Sequence, residues 1–197
     1  MRELTADLFV SMDGFASGVN ELPFFGYFGD DLSIWIKENL EKPQMLVMGR
    51  ITYAALAQFA IDSTDELNVR MTALPKTVFS RTLHEPLAWK NTRLVKTSME
   101  LEIATLKQQE GDPLRCIGSI SLVRSMIRSQ LVDRLRLMIF PVVLGTAGRE
   151  FIYTGYDKTS LELIVSRILD SRLVLLEYRP RKQDSQHQVP RNIVNPD

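Results

Sequence analysis

Cysteine is nearly absent from this chain: Cys116 is the only one in 197 residues. An intrachain disulfide is therefore excluded. Its setting, Leu114-Arg115-Cys116-Ile117, reads as a strand carrying a small core thiol rather than a nucleophile. Histidine is scarce too, with only His84 and His187. No C-x-x-C or H-x-E pattern occurs, so no metal site is expected. A G-x-S-x-G elbow is missing, as are G-x-G-x-x-G and Walker A sequences. Charge of one sign is also missing, since 24 basic residues balance 24 acidic ones. That argues against nucleic acid or an anionic membrane as a partner. The longest apolar run, residues 137–145, contains Pro141 and is too short to span a bilayer. Glu3 and Asp7 break up the apolar core that a signal peptide would need. The expected location is the cytoplasm. If the chain is an enzyme, a bound cofactor is expected to carry the hard chemistry.

What the sequence does contain is a regular alternation. Hydrophobic residues make up 45% and charged residues 24%, which suits one domain with a substantial core. Leu4, Ala6, Leu8, Val10 and Met12 alternate with other residues at period two and mark a first strand. Residues 13–29 read as a long loop with four glycines and five aromatic residues: Phe15, Phe24, Phe25, Tyr27 and Phe28. Such a loop is more often functional than idle, and its other reading is a packed flap. Asp30 or Asp31 can cap a helix that presents Leu32, Trp35, Ile36 and Leu40 and ends at Pro43. Strands are then predicted over 44–49, 76–80, 93–95, 114–117 and 135–143. Helices are predicted over 50–58, 64–72, 98–109 and 122–131. Residues 161–169 and 173–178 pair as a hairpin across Asp170-Ser171. The pattern predicts a three-layer α/β fold, with a mostly parallel mixed sheet and a C-terminal antiparallel hairpin. It predicts one domain over 1–179 and a polar, poorly ordered tail over 180–197.

The most informative stretch is Met48-Gly49-Arg50-Ile51-Thr52-Tyr53. Its glycine falls where an apolar strand turns into a helix. Such a turn offers free backbone N–H groups and the positive end of a helix dipole. Arg50 and Thr52 add a guanidinium fork and a hydroxyl, and these groups hold a phosphate. An ordinary elbow with a surface arginine fits the hexapeptide equally well. Ser80-Arg81-Thr82 and Gly118-Ser119-Ile120-Ser121 follow two further strands. In open α/β sheets, ligands bind beyond the carboxyl ends of the strands. Three elbows on one sheet edge suggest a ligand with several phosphates.

These segments, with Ser11-Met12-Asp13-Gly14, residues 131–137, Pro141-Val142-Val143-Leu144-Gly145 and residues 174–180, resemble the dihydrofolate reductase-like family. The nearer branch is the reductase domain of the riboflavin-pathway deaminase-reductase and its stand-alone relatives. The resemblance runs in order from residue 4 to residue 180. It implies an NADPH-dependent reductase of a small planar nitrogen heterocycle, pterin-like or pyrimidine-like, acting as a homodimer. It places Gly49, Arg50 and Thr52 on the cofactor phosphates. Ser80 and Arg81 go to the adenosine ribose and its 2′-phosphate, and Gly118, Ser119 and Ile120 to the pyrophosphate and nicotinamide side. Asp31 resembles the acid that binds and helps protonate a pterin ring; a helix cap is the other role open to it. Two departures stand out. Dihydrofolate reductases carry paired glycines where this chain has Gly118-Ser119, and no deaminase half is present. A non-catalytic nucleotide-binding protein that keeps the cofactor cleft is the alternative reading.

Overall fold

The computed structural model describes residues 1–19 and 25–181. Its first strand, β1 (Leu4–Ser11), lies near the middle of an eight-stranded sheet. The other strands are β3 (Met45–Gly49), β4 (Lys76–Phe79), β5 (Thr92–Val95), β6 (Leu114–Ile117), β7 (Arg134–Phe140), β9 (Ser160–Leu169) and β10 (Leu173–Arg181). Their spatial order is β5-β4-β3-β6-β1-β7-β10-β9. Six neighbouring strands pair parallel, β10 then pairs antiparallel with β7, and β9 pairs antiparallel with β10. This is the predicted mixed sheet with its C-terminal hairpin.

Five helices cover the two faces. On one face lie α1 (Asp30–Glu41), α2 (Arg50–Ala60) and α3 (Glu66–Ala73); on the other lie α4 (Met99–Gln108) and α5 (Ile120–Arg128). The alternation along β1 sorts its side chains between these layers. Leu4, Ala6, Leu8 and Val10 join Ile103, Val123 and Met126 beneath α4 and α5. The odd-numbered residues do not face water. Asp7 is 3% exposed, and Phe9 packs against Trp35 of α1 and Phe140 of β7.

Asp7 is buried because it has strong partners. Arg115 Nε donates to its Oδ2 at 2.6 Å, and Arg136 donates to Oδ1 at 2.6 Å and to Oδ2 at 2.8 Å. Both guanidinium groups lie over the Trp35 ring, at 5.7 and 5.2 Å. Asn39 and Gln44 accept from the outer nitrogens of Arg136 and Arg115. A charged cluster is thus closed off between sheet and helix, with two guanidinium groups sharing one carboxylate and completed by two amide oxygens.

The structure corrects several boundaries. Residues 13–29 are not one loop: β2 (Phe15–Gly18) pairs antiparallel with β8 (Gly148–Phe151) as a separate two-stranded ribbon. The helix expected from residue 122 starts at Ile120, and the strand expected to reach 143 stops at Phe140. The closing strand β10 runs to Arg181, past the predicted start of the tail at 180. The rest of that tail, and Phe24, lie outside the described residues.

Candidate functional site

Two strand-to-helix elbows meet at the carboxyl edge of the sheet. At the first, β3 ends at Gly49 and α2 begins at Arg50. At the second, β6 ends at Ile117 and α5 begins at Ile120. β3 and β6 are direct neighbours, so the two helix starts lie side by side. Neither helix has a side-chain cap at its N-terminus. Their first-turn N–H groups and dipoles therefore face the same edge.

A compact clasp joins the elbows. Gly49 N–H donates to Ser119 Oγ at 2.9 Å. Ser119 Oγ donates to Thr52 Oγ1 at 2.9 Å, and Ser119 N–H donates to the same oxygen at 3.1 Å. Gly118 and Ser119 both adopt the left-handed conformation, each with φ 57°. A Cβ on Gly118 would come within 3.4 Å of Thr52 Oγ1. That is ordinary contact, so it is the left-handed backbone that makes glycine suit the position. Ser119 has a Cβ in a conformation that disfavours one, and its hydroxyl makes the bonds that offset the strain.

Gly49 is different. Its φ of −87° is open to any residue. An added Cβ would lie 3.6 Å from Leu122 Cδ1 and 3.7 Å from Ser119 Oγ, in ordinary contact. Nothing inside the protein demands glycine here. The space between the two helix starts would be filled by a side chain, and glycine leaves it open.

The predicted residues divide accordingly. Gly49, Thr52, Gly118 and Ser119 are brought together. Arg50 and Arg81 are exposed and, among the described residues, have no acidic partner. Ser80 Oγ is engaged locally, accepting from Thr82 N–H and Leu83 N–H at 3.1 Å each. The Ile120 side chain is 7% exposed within the core, so only its backbone can face a ligand.

Asp31 is not part of this group. It sits exposed in the first turn of α1, and its Oδ2 accepts from Asp170 N–H at 2.7 Å. Asp170 returns the bond through its carboxylate, to Asp31 N–H at 2.9 Å and Leu32 N–H at 3.2 Å. The turn carrying Asp170 joins β9 to β10, two strands beyond β1, whereas the elbows lie at β3 and β6 on its other side. Asp31 is thus a first-turn acid that holds the Asp170 turn, and the acceptor that α1 lacks at Gly29 is supplied by the Asp170 carboxylate.

Sequence reasoning missed a second clasp, beside β1. The Asp13 carboxylate accepts from Ser11 Oγ at 2.6 Å, from Leu144 N–H at 3.1 Å and from Gly145 N–H at 2.8 Å. These bonds, the serine's first, hold its pKa below the ordinary carboxylate value. They tie the loop after β1 to the loop after β7, where the β2–β8 ribbon begins. The ribbon's aromatics pack on glycine: a Cβ at Gly148 would strike the Phe15 ring, and one at Gly14 the Tyr153 ring. Phe25 packs down against Phe140. The Asp13-Gly14 and Leu144-Gly145 pairs were the signal available in the sequence.

Among the described residues, no group of three His, Cys, Asp or Glu could hold a metal ion, and no helix is long and apolar enough to cross a membrane. Burial pushes the Cys116 thiol well above its ordinary range, which leaves it inert.

Known proteins share this fold. Residues 2–175 match the RibD C-terminal domain family. The uncharacterised protein YyaP of Bacillus subtilis (strain 168) is 27% identical over 182 residues, covering 90% of this chain and 94% of its own. A putative riboflavin biosynthesis protein from Shewanella sp. PV-4 superposes with a TM-score of 0.71 at 21% identity, covering 91% of this chain and 99% of that one. A dihydrofolate reductase from Enterococcus faecalis, solved with NADP(H) and RAB-propyl, superposes with a TM-score of 0.62 at 15% identity, covering 91% and 97%. The family match over residues 2–175 and the superpositions over nine-tenths of the chain agree: this protein has the dihydrofolate reductase-like fold and belongs to the RibD C-terminal domain family.

Proposed function

We propose that the chain is an NADPH-dependent reductase of a small planar nitrogen heterocycle, pterin-like or pyrimidine-like. The observation that carries this is the open notch at Gly49 between two uncapped helix starts. Backbone N–H groups at such a place suit phosphate oxygens. Arg50 and Arg81, free of acidic partners among the described residues, suit a further phosphate at the same edge. The Enterococcus faecalis enzyme with the same fold was solved with NADP(H), which supports the choice of cofactor. Bound NADPH supplies a hydride to a substrate C=N or C=O carbon. The chain's own part is to hold the phosphates at the elbows. The Asp13 clasp ties the loop after β1 to the loop after β7.

A second reading has an observation behind it. Asp31 is engaged by Asp170, and among the described residues no carboxylate hydrogen-bonds to the clasp at the elbows. That favours a nucleotide-binding protein that keeps the cofactor cleft without turnover. Incubation with NADPH and a panel of pterins and aminopyrimidines separates the readings by loss of absorbance at the nicotinamide band. Oxidation with any panel member supports the reductase; tight NADPH binding without oxidation supports the alternative. Stabilisation by NADH equal to that by NADPH would count against the assigned arginines. The reductase reading includes a homodimer, which sedimentation velocity tests directly.

A further inference from the structure

Ser119 carries a cost that glycine would not. Its φ of 57° and ψ of 55° crowd a Cβ against the backbone. The residue contributes a hydroxyl in return, and the direction of its bonds matters. Ser119 Oγ has one proton and two acceptors in reach, Thr52 Oγ1 at 2.9 Å and the Ile117 carbonyl at 3.4 Å. The nearer one takes it, so Thr52 Oγ1 accepts from Ser119 Oγ and, at 3.1 Å, from Ser119 N–H. A hydroxyl has two lone pairs and one proton. Both lone pairs are taken, so the Thr52 proton is left for an acceptor outside the pair. Ser119 Oγ meanwhile accepts from Gly49 N–H at 2.9 Å, which holds the end of β3 to the start of α5.

We infer that Ser119 is a positioning residue for a phosphate group. It commits the Thr52 hydroxyl to donating towards a phosphate oxygen, and it fixes the spacing of the α2 and α5 N-termini around the Gly49 notch. Its own hydroxyl is consumed within the clasp and does not touch the ligand. This deepens the cofactor reading above and rests on it.

The inference separates binding from stability. Binding follows the hydroxyl, so Ser119→Gly and Ser119→Ala lose it equally. Stability follows the backbone, so the two variants differ. The test measures melting temperature, and affinity for NADPH and for inorganic pyrophosphate by calorimetry. Ser119→Gly is expected to melt within about 3 °C of the wild type, because relief of the left-handed strain offsets the lost bonds. Ser119→Ala is expected to melt clearly lower. Both should bind NADPH about tenfold more weakly, the effect of one misplaced charge-assisted hydrogen bond. Thr52→Ser keeps the hydroxyl and should bind within about twofold of the wild type, whereas Thr52→Val should lose at least tenfold. Adding Ser119→Gly to Thr52→Val should weaken binding by clearly less than the roughly tenfold it costs alone, because the serine acts in part through the threonine.

Wild-type affinity in Ser119→Gly would overturn the inference and leave the cofactor reading standing. So would parallel loss of melting temperature and affinity across the two Ser119 variants. Wild-type protein that binds pyrophosphate but not NADPH would overturn the cofactor reading alone, with the serine and threonine variants then read on pyrophosphate. Binding of neither probe would overturn both.

Discussion

Replacing Gly49 with alanine should strengthen the fold and weaken the ligand site. Gly49 has an extended backbone, with φ −87° and ψ 169°. An alanine methyl would meet Leu122 Cδ1 at 3.6 Å and Ser119 Oγ at 3.7 Å, with no overlap to relieve. A glycine-to-alanine change at a compatible site stabilises by about 0.4–1 kcal/mol, because the unfolded chain loses freedom. For a protein of this size that is a rise of about 1–4 °C in melting temperature. The same methyl occupies the notch between the helix starts. A phosphate held at arm's length from the α2 N–H groups loses charge-assisted bonds worth about 1.5–3 kcal/mol, or roughly ten- to a hundredfold in affinity. Valine fills more of the notch and should weaken binding further. Differential scanning calorimetry and NADPH titration of the same preparations give both numbers. Alanine at wild-type affinity would mean that the notch holds no phosphate. A fall of more than about 5 °C would mean that the methyl is not accommodated, and the geometric argument would fail.

Other substitutions probe other parts of the molecule. Asp7→Ala leaves Arg115 and Arg136 buried without their shared anion, and should cost about 3–5 kcal/mol in urea unfolding, with a change in Trp35 fluorescence. Asp170→Ala removes the acceptor from the start of α1 and should cost about 1 kcal/mol. If Asp31 is only the other half of that cap, Asp31→Asn should leave NADPH oxidation unchanged; a large fall in turnover at constant NADPH affinity would instead restore it as the substrate-side acid. The pH dependence has a defined sign. Burial pulls Lys76 from 10.5 down to about 8, while its ammonium caps α3 by donating to Met71, Thr72 and Leu74 carbonyls. Above about pH 8 the folded chain gives up a proton that the unfolded chain keeps, so this group adds stability as pH rises towards 10.5. The buried Cys116 thiol works the other way above its ordinary value of 9.0, because the folded state holds its proton longer. From pH 8 to 9, wild type should therefore gain stability relative to Lys76→Met; a flat difference across that interval would refute the assignment.

The elements were legible because they are local. Period-two alternation marks β1, and the glycine after Met48 marks the turn into α2. The mixed sheet followed from the alternation of strands with helices. What could not be read is what meets across the chain. Thr52 and Ser119 were both named, yet they are 67 residues apart and nothing local declares their bond. Asp31 looked available because its partner Asp170 lies 139 residues away. Nothing local to Asp7 declares its partners, because Arg115 and Arg136 reach it across 108 and 129 residues. The β2–β8 ribbon has two strands of four residues each, too short to stand out against a glycine-rich background.

The position of β1 in the sheet has a consequence for synthesis. The strand is made well before its two neighbours, β6 and β7, which begin at Leu114 and Arg134. About a hundred residues must follow before either neighbour exists. At ~5–20 residues per second, that wait is roughly 5–20 s. During it Leu4, Leu8, Phe9 and Val10 form an apolar strand with both edges unsatisfied. Such a segment invites pairing with other nascent chains. The centre of this sheet is therefore its most exposed part on the ribosome, and the yield of active protein should depend on holdase chaperones far more than the stability of the finished fold would suggest.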